Sequence, residues 1–167
     1  MREFFRPLER GRSRFVFFVA LSCLFALVSA CAKRQLTVKI TILPAANANN
    51  PIAVDLVRVE DKDLAKEISK LTAAEWFQKR DQYRLDYSKP GTLSIESREW
   101  VPGQPVRAMK IPAPPSLSIP VVSSKPPAMF VFANYFTPGP HRATLQPNKI
   151  TTIQLGADDL SVEVDRK

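Results

Sequence analysis

The sequence has little of what usually carries chemistry. One histidine (His141) and two cysteines (Cys23 and Cys31) stand among 167 residues. A single histidine without a nearby cysteine or paired carboxylates makes neither a metal site nor a catalytic triad. Five glycines in the whole chain leave no glycine-rich phosphate loop. Asp158-Asp159 reads as a turn rather than a cation site. The basic residues are scattered, with no aromatic-interleaved cluster of the kind nucleic-acid binders carry. These absences argue against an enzyme, a metal or other cofactor, and a nucleic-acid partner. No apolar run reaches the ~20 residues that a membrane-spanning helix needs.

What is present begins at the N-terminus. Arg2, Arg6, Arg10, Arg12 and Arg14 form a basic segment, and an apolar run from Phe15 to Val28 follows, broken only by Ser22. That length suits the core of an export signal. The run ends in Val28-Ser29-Ala30-Cys31, which resembles the bacterial lipobox: an aliphatic residue and two small ones before the cysteine that receives lipid. Residues 1–30 are therefore expected to be cleaved, leaving a lipidated Cys31 as the new N-terminus. Each buried CH₂ of an acyl chain contributes roughly 0.8 kcal/mol, so two or three chains hold a protein on a membrane durably. Cys23 lies inside the discarded run, so the mature part has no internal disulfide, although an oxidising compartment would allow one. Ala32, where an aspartate would signal inner-membrane retention, implies delivery to the outer membrane. Residues 31–35 form a short tether, and at about 3.3 Å per residue the domain sits close to the leaflet.

The first thirty residues hold five of the 24 basic and two of the 16 acidic side chains, so the mature net charge is +5 rather than +8. The mature part also holds fourteen of the fifteen prolines, which disfavours a helix-rich fold. Leu36, Val38, Ile40 and Ile42 alternate with Thr37, Lys39 and Thr41, the period of a half-buried strand. Ala45 to Pro51 (AANANNP) is a loop of turn formers. Ile52 to Glu60 is a second strand whose phase shifts at Leu56-Val57, implying a β-bulge or burial on both faces. A helical interlude, about 61–83, follows. Asp61 or Asp63 caps a first helix with Leu64, Ile68 and Leu71 on one face. Thr72 and Glu75 then form a capping box for a second helix that fades around Arg80 to Tyr83. Adjacent Trp76 and Phe77 diverge by about 100°, so one packs inward and the other is free to meet a partner. Further strands are expected at Leu93 to Trp100, Pro105 to Ile111, Met129 to Phe136, Lys149 to Leu155 and Leu160 to Asp165. Val101 to Gln104 is a turn. Pro112 to Pro127, with six prolines in sixteen residues, is an irregular connection with at most a short edge strand at Leu117 to Val122. The sum, over 36–167, is a mainly β, antiparallel β-sandwich with a small helical insertion after the second strand.

Taken in order, the lipobox, the first strand, the Asn-rich loop closing on Pro51, AVDLVRV, AAEWFQKRDQY, REWVPGQ, MFVFANYF, ITTIQL and LSVEV resemble the outer-membrane lipoprotein of type VI secretion, the TssJ (SciN/VasD) family. That resemblance implies a transthyretin-like sandwich on the periplasmic face of the outer membrane. It also implies a structural role in the membrane complex through binding the periplasmic domain of TssM, an inner-membrane protein. In the family the loop between the first two strands makes that contact. Carried over, it gives Asn47, Asn49, Asn50 and Pro51, to which Trp76 is added from the helical insertion. The loop is shorter than the family's, and the Pro112–Pro127 segment longer. Two other functions fit the same features: a ligand- or peptidoglycan-binding lipoprotein with an aromatic-lined pocket, and an assembly lipoprotein of another secretion or pilus apparatus.

Overall fold

The computed structural model describes residues 36–104, 108–111, 127–147 and 149–164. Eight strands and two helices follow in the order β1 (Leu36–Ile42), β2 (Ile52–Val59), α1 (Lys62–Ile68), α2 (Ala73–Asp86), β3 (Leu93–Trp100), β4 (Met109–Ile111), β5 (Ala128–Ala133), β6 (Arg142–Leu145), β7 (Thr151–Leu155) and β8 (Leu160–Val164). The strands form two four-stranded sheets, ordered β4-β1-β7-β8 and β3-β2-β5-β6. The molecule is mainly β, a sandwich with a small helical insertion after the second strand. One pairing departs from the antiparallel expectation. β1 runs parallel to β7, from Val38 opposite Thr151 to Ile42 opposite Leu155. Strands so far apart in sequence can pair either way, because no tight turn joins them.

β1 keeps its alternation, burying Val38, Ile40 and Ile42 between the sheets. There they meet Ile52, Val54 and Leu56 of β2, Met129 and Val131 of β5, and Ile153 and Leu155 of β7. The phase shift in β2 resolves as burial on both faces. Its ladder to β3 is continuous from Ile52–Trp100 to Val59–Leu93, so no residue is bulged. Val57 and Val59 face away from the sandwich and pack with Leu64, Ile68, Leu71 and Trp76 of the helical layer. The domain thus has three layers, and β2 and β5 lie in the middle of the inner sheet.

Both helices start where side-chain chemistry marks them. Asp61 accepts a hydrogen bond from the Leu64 N–H at 2.8 Å, and Thr72 and Glu75 form the expected reciprocal capping box. The Thr72 hydrogen bonds hold the Glu75 carboxyl below its ordinary range. That contribution is present above the unfolded value and fades as pH falls through the folded one. Replacing Thr72 by Ala is expected to cost about 1 kcal/mol of stability, read by urea denaturation.

Several boundaries differ from the sequence expectation. α2 runs on to Asp86, because Tyr83 is buried on the inner face and Tyr83 and Tyr87 extend the aromatic stack begun by Trp76. β5 ends at Ala133 rather than Phe136. β6 was not expected at all, since four residues of mixed character (Arg142-Ala-Thr-Leu) carry too little periodicity to be read. The strand expected over 105–111 is described only at Met109–Ile111, and the possible edge strand at 117–122 lies outside the described residues.

Candidate functional site

Strand directions sort the connections to two ends of the sandwich. β1 starts at Leu36 beside Ile111 of β4, at the same end as the last residue of β8, Val164, which pairs with Thr151. At the other end, about 20 Å along β1, lie four connections: residues 43–51, 101–104, 134–141 and 156–159. These four connections therefore lie together at the end opposite the start of β1.

The 43–51 loop contains an unusual turn. Asn47, Ala48 and Asn49 are consecutive left-handed residues, with φ of 48°, 52° and 63°. Asparagine tolerates this region, whereas alanine has no side chain to compensate a cost of roughly 1–2 kcal/mol. Backbone strain of this kind collects at functional sites and persists only where surroundings over-determine it. Here they do. The Asn47 N–H donates to the Ala157 carbonyl at 2.9 Å, its Nδ2 donates to the Pro51 carbonyl at 3.1 Å, and its Oδ1 accepts from the Phe136 N–H at 2.9 Å. Asn50 Nδ2 donates to the carbonyls of Asn47 and Ala48. Replacing Ala48 by Gly should relieve the strain and raise stability by about 0.5–1 kcal/mol, offset in part by glycine's larger unfolded-state entropy. A shift of the urea midpoint at constant m-value would show it.

The structure divides the residues marked from sequence. Asn49 and Pro51 are exposed and Asn50 is half-buried. Asn47 is only 2% exposed: its side chain ties its own loop to the Phe136 N–H, its backbone N–H adds the tie to Ala157, and its surface offers little to a partner. Trp76 is fully buried. Its Nε1 donates to Asp55 Oδ2 at 2.9 Å, and its ring stacks on Phe132 and Tyr83. Of the adjacent aromatics it is the inward one; Phe77 is half-buried beneath the Arg80 guanidinium, 5.0 Å from its ring centre. The site therefore has no Trp76 side chain in it.

Sequence reading missed two contributors. Among the described residues four large hydrophobics are exposed: Leu43, Leu85, Val101 and Phe136. All but Leu85 lie at the loop end, and Phe136, 75% exposed, borders Asn47 directly. Exposed apolar groups gathered in one place mark interaction surfaces better than scattered ones do. MFVFANYF had looked like one continuous core strand, which hid the exit of Phe136. The second is His141, which stands in the proline-rich stretch Pro138-Gly139-Pro140-His141. It is 5% exposed, with Nδ1 3.0 Å from Asp159 Oδ1 and Nε2 2.6 Å from the Thr137 carbonyl. Beside it Tyr135 donates its hydroxyl to the Gly156 carbonyl at 3.2 Å, and burial pushes that phenol up to about 12. The raised value means this stabilisation is complete below the unfolded-chain pKa of ~10 and is lost as pH climbs through about 12.

Elsewhere, an open groove of about 370 Å³ is lined by Arg84, Tyr87, Ser88, Lys89, Pro90, Leu93 and Ile95. It offers one aromatic, unlike the enclosed, mostly apolar pockets that hold small ligands. Among the described residues no group of His, Cys, Asp and Glu is placed to hold a metal ion, and no helix is long and apolar enough to cross a membrane.

No protein-family model and no curated protein sequence matches this chain. Solved structures do. The lipoprotein TssJ1 of type VI secretion from Pseudomonas aeruginosa superposes with a TM-score of 0.57 at 15% identity, over 81% of this chain and 98% of that one. This is the fold of the type VI secretion lipoproteins. Lip, a membrane-bound component of the type VI secretion system of Serratia marcescens, gives 0.52 at 14% identity, over 81% and 99%. A chain in the structure of the TssM C-terminal domain (869-1107) from EAEC gives 0.53 at 14% identity, over 77% and 97%. The match spans nearly the whole length of each. At these identities it rests on the path of the backbone, not on shared side chains.

Proposed function

We propose that this protein is a lipoprotein of the type VI secretion membrane complex, a structural component rather than an enzyme. In this reading residues 1–30 are removed, Cys31 carries the lipid, and 36–167 form the domain on the periplasmic face of the outer membrane. The loop end binds the periplasmic domain of a TssM-like inner-membrane protein. One observation carries the reading: a whole-length likeness to two secretion lipoproteins, in a chain whose own sequence places a lipobox just ahead of β1.

The topology suits such a bridge. A tether at the start of β1 leaves the strained loop and Phe136 facing away from the anchored end, where a protein from the opposite membrane would arrive. Asn49, Asn50 and Pro51 supply polar and shape contacts, with Phe136, Leu43 and Val101 as the apolar part. Aromatic anchors surrounded by polar groups are the usual energetic centre of an interface. Asn47 supports the surface without forming it, and Trp76, buried in the helical layer, is no part of it.

Co-purification of the full-length protein with the TssM periplasmic domain tests the partner. Phe136→Ser should lower that affinity by tenfold or more, on the order of 1.4 kcal/mol, with little change in melting because the ring is already in water. Failure of the wild-type protein to form a complex at micromolar concentrations would count against the reading. Mass spectrometry of the processed product tests the anchor: an unmodified Cys31, or cleavage elsewhere, would remove the tether from it.

A further inference from the structure

We propose that the outer edge of β3 docks an extended, acidic segment of a partner protein, which joins the inner sheet as an added strand and lays alternate side chains in the groove beside α2. This site does not use the loop end.

A sheet edge leaves backbone N–H and C=O groups without partners, and proteins keep such edges short, bent or covered. Among the described residues three of the four edge strands are short: β4, β6 and β8 run three, four and five residues. β3 is the exception. It spans eight residues without proline or bulge, paired to β2 along its whole length, and stands last in its sheet.

The bonding phase between β2 and β3 fixes which groups face out. The Glu60 N–H donates to the Thr92 carbonyl at 3.0 Å, the pair just beyond Val59–Leu93. Antiparallel bonds skip every second pair, so Ser94, Glu96 and Arg98 are the residues bonded to β2. The other flank of β2 gives the same phase, since the Ala53 carbonyl accepts from the Asn134 N–H at 2.8 Å. The N–H and C=O of Leu93, Ile95, Ser97 and Glu99 therefore point away from the sheet. Among the described residues nothing pairs with them.

The same four residues carry their side chains on the helical face, opposite Val57 and Val59 of β2. The helical layer stops short of that edge. Leu93 and Ile95 are half-buried, and beside them runs the open groove of about 370 Å³ walled by Tyr87 and Lys89. A strand added along β3 places every second side chain in this groove. Main-chain hydrogen bonds joined to pockets for alternate side chains are how sheet edges bind peptides. The openness that suits no small ligand suits a polymer.

Charge selects the occupant. The ionic residues lining the groove are Arg84 and Lys89, with no carboxylate among them. Arg84 is shared with Asp81 at 3.0 Å and Ser97 Oγ at 2.9 Å, whereas Lys89 makes no ion pair among the described residues. An acidic side chain can meet Lys89 while an apolar one, two positions away, covers Leu93 or Ile95. A second copy does not fit. Antiparallel pairing of β3 with itself turns one copy end for end and sends the two β1 tethers to opposite ends, whereas two lipids share one leaflet. That exclusion rests on the proposed anchor.

The probe is a capped nine-residue peptide with threonine at every second position and valine and glutamate alternating between, added to the full-length protein in detergent. In the protein alone, amide exchange followed by NMR should be fast at Leu93, Ile95, Ser97 and Glu99 and slow at Glu96 and Arg98. The peptide should slow the first four. Lysine in place of the peptide's glutamates should weaken binding about tenfold, and Lys89→Glu should reverse that order. Methylating the backbone nitrogens of the valines and glutamates should weaken binding at least tenfold, since it removes donors and keeps side chains. Phe136→Ser should change none of this.

Outward amides already protected in a monomer would mean that the chain covers its own edge, and protected in a dimer by sedimentation, that a second copy does. Either result overturns the proposal. So does absence of binding at ~1 mM peptide, or binding that leaves those amides fast. Equal affinity for the glutamate and lysine peptides overturns the acidic occupant. Loss of the lipid on Cys31, by contrast, would strike the anchor and leave these outcomes readable.

Discussion

Replacing Trp76 by Ala should cost about 3–5 kcal/mol, most of the margin by which a domain of this size stays folded. The ring is wholly buried between β5 and α2, stacked on Phe132 at 5.0 Å and Tyr83 at 5.7 Å, so its removal leaves a cavity lined by rigid aromatics. It also strips a hydrogen bond from Asp55, a carboxylate 1% exposed in the middle of β2. Trp76→Phe separates the two effects. It keeps a stacked ring but leaves Asp55 with the Arg80 guanidinium alone, at 3.4–3.5 Å, and should cost about 2–3 kcal/mol. Adding Asp55→Val to Trp76→Phe removes the stranded carboxylate, and Arg80, partly exposed, can turn to solvent. The double variant should then recover 1 kcal/mol or more of the loss, roughly the coupling expected of a buried charged hydrogen bond. Urea denaturation of the wild type, Trp76→Phe, Asp55→Val and the double variant closes the cycle. Simple additivity would show that Asp55 and Trp76 do not act as a unit. Trp76→Phe should also leave partner affinity unchanged; lost binding with an intact fold would return this residue to the interface.

Asn47→Ala should be the most damaging change within the loop end, at about 2–4 kcal/mol. It deletes two side-chain hydrogen bonds, leaves the Phe136 N–H without its acceptor, and places a second alanine in a left-handed conformation. Asn49→Ala, two residues on, keeps those hydrogen bonds and loses only asparagine's tolerance of positive φ, about 1 kcal/mol or less. If Asn49 is a contact, the two variants should separate in opposite senses: Asn47→Ala chiefly in the denaturation midpoint, Asn49→Ala chiefly in affinity for the TssM periplasmic domain. Equal destabilisation would show that the network through Asn47 is not what holds the loop.

These contrasts follow from what was legible in the residues. β1 was readable because one face meets the core and the other meets solvent, giving strict alternation. The two helix starts were readable because capping is local, a matter of Asp61, Thr72 and Glu75 within one turn of chain. Burial of Trp76 rather than Phe77 was not, since two adjacent aromatics carry equal apolar weight and only the sheet beneath decides between them. His141 was missed for a related reason: its partner Asp159 lies eighteen residues away, and no spacing rule connects a proline-rich loop with a later turn.

The sequence alone determined what kind of object this is. The strand periods, the helix caps and the abundance of proline specify a small β-rich domain with a short helical insertion, because each is a local property of the chain. Tertiary structure alone decided which residues share a surface: the parallel pairing of β1 with β7, the third layer that buries both faces of β2, and the gathering of Asn47, Phe136 and His141 at one end. Those depend on contacts between segments far apart in sequence, where geometry rather than composition selects the neighbours.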